Sequence, residues 1–349
     1  MQILIKFEFL QKNQLKMKRR IFLRLAGISS VSTLVSNVFA QEAKGNVTNK
    51  KTLTNPFEKK GKWYKAALHV HTTSSDGDVD VPTRIKQYRD KGFDVVAITD
   101  HRTTNDLSGF SDKKFLALSS IEFHPETYSG APTHHFLGYG LAHPYPYDNS
   151  LSAQEMIDDI KSRGAKVFYA HPYWTGHTYV EMTEVSGYLG VEVHNQVCQN
   201  MADSGSGHMH WDQMLNKGHV LSGLANDDVH KSSEVGKAWT MIKATKLDDE
   251  SILEALENGC FYASKGPVIK DYQMSSDLIV KVKCSSVKKI VFRTSGAGNG
   301  NVFIAENGAN LRSAEWDLSG KKPKWVRCEV TDEDGNTAWT NPIFLESSE

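Results

Sequence analysis

Six apolar segments of the chain end in histidine or a carboxylate, the side chains that bind borderline divalent metals in proteins. The six endings are His69-Val70-His71, Thr99-Asp100-His101, Glu122-Phe123-His124, His171-Pro172, Glu192-Val193-His194 and Asp228-Val229-His230. One residue separates His69 from His71, so a strand directs both imidazoles to the same side, where they can chelate one ion. The pattern predicts a metal site assembled from the ends of successive strands, as at the mouth of an α/β barrel.

Two further candidate ligands lie outside the six endings. Asp76 follows the first histidine pair in a polar loop, and His135 begins an apolar run over residues 135–140. His134 is set aside, because alternation along a strand turns it away from the mouth. Asp100 is interpreted as a residue that orients a neighbouring imidazole or backbone group. The candidate metal ligands are therefore His69, His71, Asp76, His101, Glu122, His135, His171, Asp228 and His230.

The segments between these endings predict strands alternating with helices from residue 63 to residue 269. Asp80-Val81-Pro82 begins a helix that Gly92 ends. Ser152 and Glu155 form a capping box, and Gly164 ends that helix. Further helices are predicted at 208–217 and 248–258, and buried strands at 95–99, 166–170 and 220–225. Such alternation predicts an α/β barrel.

The pattern changes after residue 270, where short alternating segments follow one another. They cover residues 278–283, 287–293, 302–305, 325–330 and 337–345, and residues typical of turns separate them. We predict a small antiparallel β-sandwich-like domain over residues 270–349.

Residues 1–40 predict an export signal. Met17-Lys18-Arg19-Arg20 gives a basic start, residues 21–35 are moderately apolar, and Val38-Phe39-Ala40 has the small residues of a cleavage site. The twin arginine resembles that of a twin-arginine signal, with an ordinary secretory signal and a start at Met17 as open alternatives. The apolar run is too short for a permanent membrane span. We expect a periplasmic or extracellular protein with a linker at residues 41–62.

The net charge of the chain bears on its binding partners, and its cysteine content bears on zinc sites and disulfides. Residues 1–40 hold seven of the 41 basic residues and one of the 41 acidic residues, which leaves residues 41–349 at a net charge of −6. This excess of acid argues against nucleic acid as the main partner. The four cysteines form no CxxC pair, so a cysteine-based zinc site is not predicted. A Cys284–Cys328 disulfide and free buried thiols both stay open.

The order of the motifs resembles that of the polymerase and histidinol phosphatase (PHP) family. That family carries HxH, a following Asp or His, TDH, a strand-end Glu, HxxG, AHP and DxH. Here they are His69-Val70-His71, Asp76, Thr99-Asp100-His101, Glu122, His135-Phe136-Leu137-Gly138, Ala170-His171-Pro172 and Asp228-Val229-His230. The run Ala338-Trp339-Thr340-Asn341-Pro342 is similar to one in a secreted, carbaryl-hydrolase-like branch of the family.

The resemblance implies a distorted (β/α)7 TIM-like barrel with two or three divalent ions, of Zn, Mn or Fe. It assigns His69, His71, Glu122 and Asp228 to the first ion. Glu122 is shared with a second ion that adds His135 and His171, and a third takes Asp76, His101 and His230. The implied activity is that of an exported phosphoesterase, in which a metal-bridging hydroxide attacks a small phosphate ester. We predict Arg102 and His194 as the catalytic residues: Arg102 to clamp the phosphate, His194 as an acid or substrate contact.

Two other functions stay open. In one, the same hydroxide attacks a carboxyl ester or a carbamate; a phosphomonoesterase should instead place an Arg or Lys within reach of the metals. In the other, the chain is a non-catalytic metal- or glycan-binding protein whose β tail exposes Trp316 or Trp339. Tyr173 and Trp174, beside His171, either wall the substrate pocket or pack in the core.

Overall fold

The computed structural model describes residues 52–125, 133–296 and 300–345. The predicted export signal and residues 41–51 of the predicted linker lie outside these residues. Helices are α1 (Val81–Asp90), α2 (Ala153–Ser162), α3 (Tyr179–Met182), α4 (Gln196–Ala202), α5 (His208–Asn216) and α6 (Asp249–Asn258), with 3-10 turns at Pro56–Glu58 and Ser232–Glu234. No helix of the described residues is long and apolar enough to cross a membrane.

The strands that carry the candidate ligands follow one another in a mixed, largely parallel sheet. They are β1 (Lys62–Ala67), β2 (Val95–Ile98), β3 (Leu116–Phe123), β4 (Phe136–Tyr139), β5 (Lys166–Tyr169), β6 (Gly190–Asn195) and β7 (Ser222–Asn226). Neighbours in this order pair in parallel, except that β4 is antiparallel to both β3 and β5. Val70 after β1 pairs with Val229 after β7, so the two ends of the series meet. This mixed α/β sheet agrees with the predicted class, and the (β/α)7 barrel itself stays a prediction.

The helix boundaries follow the predicted caps. The Asp80 side chain accepts a hydrogen bond from the backbone N–H of Thr83 at 3.0 Å. Ser152 and Glu155 form the expected reciprocal capping box at the start of α2. Gly259 ends α6 with φ of 70°, a left-handed conformation that glycine adopts without a Cβ penalty.

Strands β1 to β5 and β7 contribute to an apolar core that also receives one face of α6. Its fully buried members come from alternate positions of the strands, because successive side chains point to opposite faces. They include Leu68, Val95, Leu118, Leu137, Phe168 and Leu224 from the strands and Ile252 and Leu256 from the helix. The polar endings of the same strands lie just beyond this core, so packing fixes where each candidate ligand projects.

The remaining strands are β8 (Trp239–Ala244), β9 (Phe261–Ser264), β10 (Ile269–Met274), β11 (Ile279–Val287), β12 (Lys289–Thr294), β13 (Gly300–Ile304), β14 (Leu311–Asp317), β15 (Trp325–Thr331), β16 (Thr337–Thr340) and β17 (Ile343–Phe344). Strands β10, β11 and β14 form an antiparallel sheet that shares a core with β12 and β15. Antiparallel strands were predicted here, but β14 was not. The predicted domain boundary falls within β10.

The C-terminal strands continue the main sheet. Strand β16 is hydrogen-bonded to β9, and β9 pairs with β8, which pairs with β1. Asn341 extends this connection: its amide nitrogen donates to the carbonyls of Gly259 and Phe261, and its oxygen accepts from the N–H of Gly223. Trp339 is buried, and Trp316 packs on the C-terminal core, so these two aromatics do not form the exposed face that a glycan-binding tail would need.

The four cysteines are buried free thiols in the described chain. Of the two alternatives that the sequence left open, this is the one without a disulfide between Cys284 and Cys328. Burial raises the pKa of the Cys284 thiol to about 11, which keeps it protonated near neutral pH.

Candidate metal centre

Glu122, at the end of β3, is the centre of the candidate site. It is 1% exposed, and both of its carboxylate oxygens are surrounded by imidazoles. Five histidine nitrogens lie within 3.2 Å of these oxygens, those of His69, His71, His101, His135 and His171. A carboxylate so placed can bridge two cations.

The nine candidate ligands come together in three overlapping groups. Within each group, the potential ligand atoms lie within 4.8 Å of one another. The groups are His69, His71, Glu122 and Asp228; Glu122, His135 and His171; and His71, Asp76, His101 and His230. The first two match the sets implied by the family resemblance, and the third adds His71 to its set. The structure thus brings all nine residues together, and their role as ligands stays a prediction.

The backbone takes a left-handed conformation at three positions in or beside this cluster. The φ angle is 21° at His171, 56° at Asp228 and 59° at Arg102. Non-glycine residues rarely adopt such angles, and residues that do often lie at functional sites. At His171 and Asp228 the turn comes directly at a strand end, where it sets the direction of a candidate ligand.

Glu192 positions His69 through the ring nitrogen that faces away from Glu122 and Asp228. Its Oε1 lies 2.9 Å from His69 Nδ1, while its Oε2 accepts the backbone N–H of His171 at 2.9 Å. The opposite nitrogen of His69, Nε2, lies 3.1 Å from both Glu122 and Asp228. A carboxylate that holds one imidazole nitrogen leaves the other free for a metal and fixes the orientation of the ring. Sequence reasoning assigned no role to Glu192, whereas the structure shows this contact.

Arg84 was missed by sequence reasoning. This buried arginine of α1 donates from Nε to the carbonyl of His71 at 3.0 Å and from Nη2 to the carbonyl of His230 at 3.1 Å. Nη2 also lies 2.7 Å from Oδ1 of Asp78. Arg84 therefore holds together the two chain segments that carry these histidines. An arginine in an amphipathic helix gives no sign of such a role, because a solvated arginine is far more common there.

Asp100 has the orienting role expected for it. The carboxylate accepts the backbone N–H of Thr72 at 2.7 Å and its hydroxyl at 2.6 Å, and the hydroxyl of Ser75 at 2.7 Å. These contacts fix the loop that carries Asp76. Asp76 Oδ2 lies 3.3 Å from His230 Nε2, at the outer end of the site.

The electrostatics of the cluster favour bound cations. Although burial opposes ionisation, the neighbouring histidines hold the pKa of Glu122 well below its usual value, and the same holds for Asp228. Burial alone would lower the pKa of His71, but hydrogen bonds to Asp228 and Glu122 raise it to about 9. Burial lowers the pKa of His101 and His135, which favours the neutral imidazoles that metals bind. Ionised carboxylates mixed with imidazoles are a donor set that suits Zn, Mn or Fe.

A cavity of about 540 Å³ opens above the cluster. Seven of the nine candidate ligands line it, whereas His69 and His71 are fully buried beneath it. The other lining residues are His124, Trp174, Val197, Cys198, Met201, Lys231 and Glu234. Trp174 is therefore a pocket residue, one of the two interpretations left open for it. A volume of this size is typical of small-molecule sites.

The two predicted catalytic residues are placed differently from expectation. Arg102 is not among the residues that line the cavity, but its Nη2 lies 3.2 Å from Nδ1 of His124, which is one of them. His124, which ends one of the six segments but is not among the predicted ligands, stacks on His135 with ring centroids 4.3 Å apart and lines the cavity. His194 packs on Trp339 with ring centroids 5.8 Å apart and contacts Gln196.

A bulge explains the position of His194. Glu192 pairs with Leu224 and His194 pairs with Ala225, so two residues of β6 match one of β7. Such a bulge breaks the alternation that would have put Glu192 and His194 on the same side. Burial, with Lys265 nearby, also lowers the pKa of His194 to about 4, so it is neutral near pH 7. This placement argues against His194 as a catalytic acid.

The chain is similar to one curated protein and to several solved structures. An uncharacterized protein of Methanocaldococcus jannaschii is 32% identical over 120 residues, which are 31% of this chain and 68% of that protein. A two-domain protein of Bacteroides vulgatus, described as containing a predicted PHP-like metal-dependent phosphoesterase, is 17% identical. It aligns over 85% of this chain and all of its own, with a TM-score of 0.47.

An amidohydrolase of Chromobacterium violaceum, solved with sulfate and without metal, is 15% identical over 48% of this chain and 87% of its own, with a TM-score of 0.36. No protein-family model matches the chain.

Proposed function

We propose that the chain, whose motifs resemble those of the PHP family in kind and order, is an exported metal-dependent phosphoesterase acting on small phosphate esters. The observation that carries the proposal is the convergence of nine candidate ligands, from seven separate segments, in three overlapping groups, two of which share the carboxylate of Glu122. Buried carboxylates and imidazoles in this number are costly without a cation to hold them. Their convergence supports a multinuclear metal site at the base of the cavity.

Divalent ions held there would supply a nucleophilic water near neutral pH and neutralise charge that develops on the phosphate. The residues of the chain do the positioning. Glu192 and Arg84 hold the histidine-bearing segments, and the cavity walls limit the directions from which an ester can approach. Preorganised groups of this kind lower the reorganisation needed during reaction.

A cationic wall residue favours phosphate over a neutral carbonyl group. Lys231 directly follows the candidate ligand His230 and lines the cavity. Lys231 is therefore the candidate for the Lys or Arg that a phosphomonoesterase should place within reach of the metals. We assign to Lys231 the phosphate contact that was first expected of Arg102, as a point charge facing the anionic oxygens.

A second function, hydrolysis of a carboxyl ester or carbamate, is favoured by the apolar residues of the same cavity. Trp174, Val197 and Met201 would suit a substrate without charge. The metal cluster is compatible with both reactions, so the substrate class must be decided by assay.

The proposal is tested with purified, metal-analysed protein on phosphomonoesters, phosphodiesters, carboxyl esters and carbamates. We expect turnover of phosphomonoesters, and its loss in the double variant His69→Ala, His71→Ala. The control is His219→Ala, because His219 is exposed and outside the cavity lining. Phosphatase activity that survives the double variant would overturn the assignment of the site. Activity confined to carboxyl or carbamate esters would establish the second function.

The export part of the proposal rests on residues 1–40 and is tested separately. A reporter protein fused behind these residues should reach the bacterial periplasm in folded form. The double variant Arg19→Lys, Arg20→Lys should keep it in the cytoplasm if the twin-arginine route is used. Export that is unaffected by this change would point to the ordinary secretory route.

A further inference from the structure

The cavity has an apolar wall on the side of one ligand group. The Trp174 ring lies 5.1 Å from the ring of His171 and 5.8 Å from that of His135, inclined at 80° and 67°. Val197 and Met201, both on α4, line the same cavity. Trp174 is 44% exposed and Met201 71% exposed, which is unusual for such large apolar side chains. Exposed apolar groups that line a cavity mark a place where an apolar ligand is bound.

The charged part of the wall belongs to a different ligand group. Lys231 follows His230, whose Nε2 lies 3.3 Å from Asp76. Neither His230 nor Asp76 belongs to the group of His135 and His171. The cavity therefore carries charged side chains, Lys231 and Glu234, beside His230, and the ring of Trp174 beside a different ligand group. Val197 and Met201 add apolar surface from α4.

We propose that the substrate is a phosphate ester whose leaving group is apolar and the size of one or two aromatic rings. The phosphate faces Lys231, and the leaving group packs against Trp174, Val197 and Met201. This inference rests on the proposed phosphoesterase function and adds the leaving group to it. Sugar and nucleoside leaving groups fit poorly, because Val197 and Met201 offer no hydrogen bond to the hydroxyl groups that would lose water there.

The kinetic test compares two esters whose leaving groups are similarly acidic and differ in apolar area, phenyl phosphate and 2-naphthyl phosphate. We expect kcat/KM to be roughly tenfold higher for the naphthyl ester, as burial of a second ring predicts. Met201→Ser should reduce that ratio to about twofold or less. Met209→Ser is the matched control, because Met209 is also exposed, at 61%, but does not line the cavity. It should leave the ratio unchanged. A ratio near one, or a ratio that Met201→Ser does not alter, would overturn the inference.

A binding measurement separates this inference from the proposed function. Calorimetry should show that 2-naphthylmethylphosphonate binds about tenfold more tightly than methylphosphonate, and that Met201→Ser removes most of the difference. Because neither phosphonate is hydrolysed, this result does not depend on turnover. Preferential binding without hydrolysis of any phosphate ester would retain the apolar subsite and refute the phosphoesterase function. Hydrolysis of phenyl phosphate without preferential binding of the naphthyl phosphonate would retain the phosphoesterase function and refute the apolar subsite.

Discussion

Two buried regions of the molecule gather carboxylates, and they balance the charge in different ways. Where α5 meets the C-terminal strands, the guanidinium of buried Arg327 lies 2.7 Å from Asp212 and 2.7 Å from Glu329, and Arg293 contacts the same Glu329. In the candidate metal centre, the ion-pair partners found for Glu122 are imidazoles. The first region therefore carries permanent cations beside its carboxylates, and the second carries groups that are neutral once deprotonated.

The comparison distinguishes carboxylates that the chain itself neutralises from carboxylates that can bind a cation. An arginine cannot lose its proton in a protein, so the carboxylates beside Arg327 are neutralised within the chain itself. An imidazolium can give up its proton, and a divalent ion that binds the imidazole in the proton's place then supplies the positive charge beside these carboxylates. The identity of the partner, rather than burial of the carboxylate, distinguishes the two regions.

The largest effect is expected from removing the central charge of the metal centre. Glu122→Gln keeps the shape of the side chain and removes the negative charge that two of the candidate-ligand groups share. We expect kcat/KM to fall by about 1,000-fold or more, beyond the 10–100-fold that loss of an outer-shell partner causes. Metal analysis should show fewer bound ions per chain. Glu250→Gln, at an exposed position, is the control. A variant that retains its full metal content and activity would contradict the role of Glu122.

A second change removes the buried arginine from the region where α5 meets the C-terminal strands. Arg327→Met leaves Asp212 and Glu329 buried beside one fewer charge, and we expect the free energy of unfolding in urea to fall by about 3–4 kcal/mol. The metal content should not change. If the variant does not fold, Asp212→Asn provides a milder test of the same pair. Loss of bound metal without loss of stability would show that the two regions are not distinct in the way argued above.

The pH dependence of stability sharpens the comparison. Burial works against ionisation of Glu329, but Arg327 and Arg293 lower its pKa to about 2. A carboxyl group with a lowered pKa stabilises the fold above its ordinary value of 4.5, and this contribution is lost as the pH falls from there towards 2.

Glu329→Gln should therefore cost about 3 kcal/mol at pH 7, following 1.36 kcal/mol per unit of pKa. The difference in the free energy of unfolding between the variant and the unmodified chain should become smaller below pH 4.5. Urea unfolding at pH 7, 4 and 3 measures it. A difference that stays constant with pH would mean that packing, not charge, explains the loss.

The smallest effect is expected for Glu192→Gln. The amide oxygen can still accept from His69 Nδ1, so the ring stays oriented while its basicity falls. Metal affinity should drop by about tenfold, the lower end of the range for outer-shell partners. Competition with a chromogenic chelator measures the affinity. An unchanged affinity would leave Glu192 as a purely structural acceptor.

The sequence predicted the elements with local signals well. Asp80 and the Ser152–Glu155 pair mark their helices because capping needs only residues close in the chain. Strands β8, β9, β10 and β14 were not predicted. In β14 the residues that touch the core, Leu311, Ala314 and Trp316, do not follow a strict alternation, and pairing with β11 decides its conformation. Short strands with weak patterns depend on their neighbours.

For the candidate site, the sequence alone determined the identity and order of nine metal-competent side chains, because their spacing at strand ends is a local property. The convergence of all nine depends on strand order, since residues far apart in the chain meet only when the sheet brings β1 and β7 together. His194, rather than Glu192, was predicted to act at the site, because a bulge between these two residues of β6 cannot be read from the sequence.

Only the tertiary structure decided what surrounds the ligands. Arg84 binds the carbonyls of His71 and His230, and Lys231 and Trp174 line one cavity, although nothing in their local sequence requires it. The type of each candidate ligand depends on a single residue. The groups that hold the ligands in place, and the cavity walls that select a substrate, come from packing between segments far apart in the sequence. That is why the metal chemistry could be inferred from the chain, while the polarity of its cavity required the fold.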